Sequence, residues 1–110
     1  MDNGQLVVPE IVKISSHVAH VLSRLGRVEA IILFGSQANG TAGPYSDIDL
    51  GVFTEGPENW NIHERVEAMV LVNEECGDDV EVHLFPAESA TQPPKGSFAE
   101  YIIKHGIRIH

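Results

Sequence analysis

Apolar residues recur at three- and four-residue steps through Ile11, Ile14, Val18, Val21, Leu22 and Leu25, the spacing of one helix face. Pro9 suits a first helical position and Gly26 a stop, so residues 9–25 are predicted as an amphipathic helix. The pattern then changes to an unbroken apolar run, "VEAIILF" at 28–34, as in a strand covered on both faces. "GSQANGTAGPYS" is turn-rich, and "DIDLGVF" at 47–53 reads as a second strand. Trp60, His63, Val66, Met69 or Val70, and Asn73 set up a helix over about 58–75, with Gly77 as its stop. In "DVEVHLF" at 79–85, Val80, Val82 and Leu84 fall on one face and Glu81 and His83 on the other. "PAESATQPPKGS" is a loop, stiffened at Pro93-Pro94-Lys95. "FAEYIIKHG" predicts a short terminal helix, and "IRIH" a small edge strand or tail. This order predicts one α/β or α+β domain over residues 1–110, two-layered, with a mixed sheet of about four strands. The short link between the first two strands favours an antiparallel or mixed arrangement over a crossover.

Composition narrows the class. The chain has 43% hydrophobic and 21% charged residues in 110, ordinary values for a globular domain with a real core. No apolar run approaches a membrane span, and "MDNGQLVVPE" lacks the layout of a secretory signal. Cys76 stands alone, without a disulfide or zinc partner. Together these predict a cytoplasmic protein. Sixteen acidic residues against seven scattered basic ones give a net charge of -9, which argues against a nucleic-acid-gripping surface. An anionic ligand on such a chain needs cations beside it, and a basic protein partner would be welcome.

Asp47 and Asp49 lie two apart in a predicted strand, so they share a face with Cβ atoms about 6.5–7 Å apart. Ile48 and Leu50 point the other way and fix the register. Two bare carboxylates on one face repel, and divalent cations remove the conflict: magnesium binds through one or two carboxylates plus substrate phosphates. A pair of ions is the arrangement of two-metal phosphoryl transfer. Glu81 completes a three-carboxylate cluster if its strand lies beside the second; from alternation alone the ordinary reading is a solvated residue on a half-exposed strand. Gly35 permits close backbone approach, and Ser36, opening a short helix as its cap, favours a phosphate. Ten residues separate Ser36 from Asp47. One loop therefore starts at an anion site and ends at a metal site, where a triphosphate and its ions would meet.

"LFGSQANGTAGPYSDIDLGV", with "hhGS-x10-DhD" (h apolar) inside it, resembles the nucleotidyltransferase superfamily of the DNA polymerase β type, and most closely the minimal nucleotidyltransferases. A later "hEhhhF" at 80–85 falls where these proteins carry a third carboxylate, and "FAEYIIKHGIRIH" resembles their closing helix and strand. The resemblance implies that Gly35 and Ser36 hold nucleotide phosphates and that Asp47 and Asp49 bind magnesium. It implies that Glu81 helps hold a second ion and acts as general base. Members often carry arginine where this chain has Asn39, which removes a cation from the phosphate side. Glutamate in place of the more usual aspartate adds a methylene at position 81. The resemblance further implies transfer of AMP from ATP to a tyrosine of a small HEPN-type toxin, with this chain as antitoxin. The alternative is a binding module that keeps the fold and neutralises its partner by occlusion.

Other residues carry weaker readings. His17 and His20 read as solvated surface, and Cys76 as a packing residue whose acidic neighbours raise its pKa. Trp60 and Phe98 read as core or interface anchors, and Tyr45 as a base-stacking or loop-packing residue. His83, on Glu81's face, is either a neighbour of the acidic cluster or a plain strand-surface histidine.

Overall fold

The computed structural model describes residues 8–43 and 46–110; the loop position Tyr45 lies outside them. Its elements are α1 (Pro9–Leu22), β1 (Val28–Phe34), α2 (Ser36–Asn39), β2 (Ile48–Thr54), α3 (Ile62–Cys76), β3 (Val80–Pro86), α4 (Phe98–His105) and β4 (Ile107–Arg108). The four strands form one mixed sheet in the order β3-β2-β1-β4. β1 pairs antiparallel with β2, as the short connection predicts, and also with β4. β3 runs parallel to β2, with Asp49 opposite Glu81 and Gly51 opposite His83. The intervening α3 makes this a crossover unit, the connection that parallel neighbours require.

Each sheet face has its own core. Ile31, Leu33, Ile48, Leu50, Val52, Val80 and Val82 pack under Val18, Val21 and Leu22 of α1 and Ala68 and Val72 of α3. Ala30, Ile32, Phe34 and Phe53 pack under Ala99 and Ile102 of α4. Leu33, Leu50 and Val52 are 0% exposed, and burial of each such side chain contributes about 1.5–3 kcal/mol. β2 is therefore anchored from both sides, which fixes where its first residues point.

The elements depart from expectation in three places. α1 stops at Leu22, and Leu25 is exposed. The chain must turn there to bring β1 against β2, and a side chain at Gly26 would run into the Glu55 carbonyl. α3 begins at Ile62 rather than 58, because Asn61 caps it: its side chain accepts from Glu64 N while Glu64 accepts from Asn61 N, both at 2.9 Å. Its buried positions are Ala68 and Val72, with Leu71 half-buried, whereas His63, Val66, Met69 and Val70 face outward. The predicted stripe was rotated by about one position, because small Ala68 rather than large Met69 lets the helix approach α1 and the sheet. β2 begins at Ile48, leaving Asp47 just ahead of the strand.

Candidate metal and phosphate site

The register of β2 and β3 builds the site. Asp49 and Glu81 are directly opposed on adjacent parallel strands, so their side chains leave the sheet on the same face. His83 follows two residues along β3 on that face. One donor atom each from Asp49, Glu81 and His83 lies within 4.8 Å of the others. His83 Nε2 stands 3.7 Å from Asp49 Oδ1 and 3.9 Å from Glu81 Oε2. Both separations exceed hydrogen-bond range, and the Nε2 atom is buried without a partner. Edge-to-face contacts hold the imidazole, with ring centres 5.1 Å from Phe34 and 5.6 Å from Phe98. The ring nitrogen thus lies within 4 Å of two carboxylates without a hydrogen bond to either.

Gly35 brings the loop to this cluster. Its φ is +77°, and a Cβ there would lie 2.6 Å from Asp49 Oδ2. Only glycine accommodates both the backbone angle and the carboxylate. The N–H groups of Ala38 and Asn39 bond back to the Gly35 carbonyl at 3.0 and 3.1 Å, which closes the short turn of α2. Ser36 is the first residue of that turn and not its cap; the cap position belongs to Gly35, without a side-chain bond. The φ of Gly35 carries the chain out of β1 one residue earlier than a serine cap would allow. Asn39 is turned onto its own loop, its Oδ1 accepting from Thr41 N at 3.1 Å and Thr41 Oγ1 at 2.6 Å.

Asp47 is exposed and contributes no atom to the cluster of three. It lines an adjoining recess of about 350 Å³ with Asp78, Asp79, Glu81 and Asn73. Glu81, half-exposed at 52%, belongs to both groups and so connects Asp47 to Asp49. The structure brings Asp49, Glu81 and Gly35 together and leaves Asp47 in the recess beside them. His83, which the sequence reads by default as a plain strand-surface histidine, stands beside both carboxylates, and its two-residue offset from Glu81 is the signal.

The remaining readings settle simply. His17 and His20 are exposed. Cys76 is half-buried, and burial first, Glu75 second, push its thiol pKa up. Trp60 packs against the core, while Phe98 stays half-exposed beside His83. No helix among the described residues is long and apolar enough to cross a membrane.

Two comparisons with known proteins bear on this arrangement. The family model described as nucleotidyltransferase domain matches residues 15–108. A crystal structure assigned as a nucleotidyltransferase from Sulfolobus solfataricus superposes with a TM-score of 0.58 at 20% identity, covering 90% of this chain and 80% of that one. At that identity the likeness concerns the fold. No curated protein sequence matches the chain.

Proposed function

The chain belongs to the nucleotidyltransferase domain family, and from that premise we propose that it transfers a nucleoside monophosphate, AMP from ATP, to a hydroxyl group. The observation that carries the reading is the in-register pair Asp49 and Glu81, with Gly35 held against Asp49. Gly35 and Ser36 would receive the phosphates, through backbone N–H groups at a turn too tight for a side chain at position 35. Asp47, Asp49 and Glu81 would hold two magnesium ions. Bound there, divalent ions supply neutralisation of the charge that develops on the phosphoryl oxygens. Glu81 reaches into solvent from the end of an ordered strand, a position from which a carboxylate can take the proton of an incoming hydroxyl. The acceptor in this reading is a tyrosine of a HEPN-type toxin, with the chain acting as antitoxin; its net charge of -9 suits a basic partner.

The test is transfer of label from α-labelled ATP to the purified partner in the presence of magnesium. Asp49→Asn is expected to lower labelling on the order of 100-fold or more, with unchanged circular dichroism. Labelling by this variant at the wild-type rate would remove Asp49 from the chemistry. A second reading, neutralisation by occlusion without transfer, draws on Asn39, which is neutral and tied to Thr41. It predicts that Asp49→Asn still silences the partner.

A further inference from the structure

We propose that His83 is a metal ligand through Nε2, and that the Asp49–Glu81–His83 set prefers a first-row transition ion to magnesium. The inference rests on the nucleotidyl-transfer reading of the site and concerns which ion that site takes. Three observations converge on it. The nitrogen is buried and unpartnered although two carboxylates stand nearby, so it is neither hydrogen-bonded to them nor solvated. Its distances of 3.7 and 3.9 Å to those oxygens fit a shared ion. Donors about 2.1 Å from one ion are separated by about 3 Å when adjacent and about 4.2 Å when opposite, and both distances fall inside that span. The ring cannot easily turn away, since Phe34 and Phe98 meet it edge to face.

The chemistry of the donor set then decides the ion. Magnesium takes oxygen ligands and keeps its waters, whereas imidazole suits zinc, iron and nickel, and carboxylates serve manganese. One nitrogen with two carboxylates is a mixed set that manganese(II) or a later first-row ion satisfies and magnesium does not use fully.

The experiment loads the whole chain with manganese(II) alone and records pulsed electron paramagnetic resonance, with calorimetric titrations of manganese and magnesium alongside. A nitrogen hyperfine coupling is expected in the wild type and absent in His83→Phe, which keeps a ring against Phe34 and Phe98 but has no nitrogen. The manganese-to-magnesium affinity ratio should fall on the order of tenfold or more in this variant; His83→Gln repeats the measurement should the phenylalanine variant fold poorly. Absence of nitrogen coupling in the manganese-loaded wild type, or an unchanged ratio in the variants, overturns the assignment while leaving the acidic site standing. Asp49→Asn separates the two levels: undiminished manganese binding in that variant overturns the site reading itself.

Discussion

Gly35 shows how much one position can carry. Its positive φ and its contact with the Asp49 carboxylate are independent demands, and alanine violates both. Gly35→Ala is expected to destabilise by about 1–3 kcal/mol from the backbone alone. It should also displace Asp49 and weaken metal binding in calorimetry. A urea midpoint equal to wild type would show that the loop can re-form without the left-handed turn. The "GS" pair was readable in the sequence as a place of close approach, but what approaches was not, because the carboxylate comes from a strand antiparallel to β1, fourteen positions beyond Gly35. His83 was legible only as to its face, for a related reason. Alternation fixes its face, yet only the parallel register of β3 on β2 brings that face to Asp49, and its failure to find a hydrogen-bond partner is a property of three dimensions.

At the scale of elements, the strands were legible and the helix boundaries less so. "VEAIILF" announces itself because burial on both faces demands a nearly continuous apolar run, and both it and "DIDLGVF" appear within a residue of expectation. α3 is the instructive miss. Its apolar residues outnumber the places available in the core, so composition pointed to Val66, Met69 and Val70, while packing selected Ala68 and Val72. Its start is set by local chemistry that the periodic pattern overrode: Asn61 and Glu64 form a reciprocal cap. Asn61→Ala should therefore cost about 1 kcal/mol, read as a lower urea midpoint with an unchanged slope. Because α3 carries the chain from β2 to β3, a larger loss with diminished metal affinity would mean that the cap also holds the strand register. At the opposite end, Arg24 from the turn after α1 pairs with Glu75 at 2.9 Å and holds that carboxyl below its ordinary range. The pair is solvent-exposed, so it orients α3 more than it stabilises it.

For the molecule as a whole, the distribution of charge matters more than its sum. The arginine ion pairs among the described residues engage Glu75, Glu29 and Glu55, whereas Asp47, Asp49, Asp78, Asp79 and Glu81 gather at one end of β2 and β3 with His83 as their near neighbour. That end is a concentration of like charge which folding has to tolerate, since each carboxylate is freer of the others in the unfolded chain. A site of this kind trades stability for binding, and the trade is measurable without any assay of transfer. A divalent ion that binds the folded state alone stabilises it by about 2.7 kcal/mol at a hundred times its dissociation constant. For a domain near this size that corresponds to a rise in Tm on the order of 10 °C. Asp49→Asn should start from a higher Tm in metal-free buffer, because one of the crowded charges is gone, and should respond to manganese or magnesium by much less. The two effects have opposite signs and one origin, so they stand or fall together. A wild-type protein whose Tm ignores divalent ions, or an asparagine variant that gains as much from them as the wild type, would mean that the charge cluster at the head of β2 and β3 is not where the cation binds.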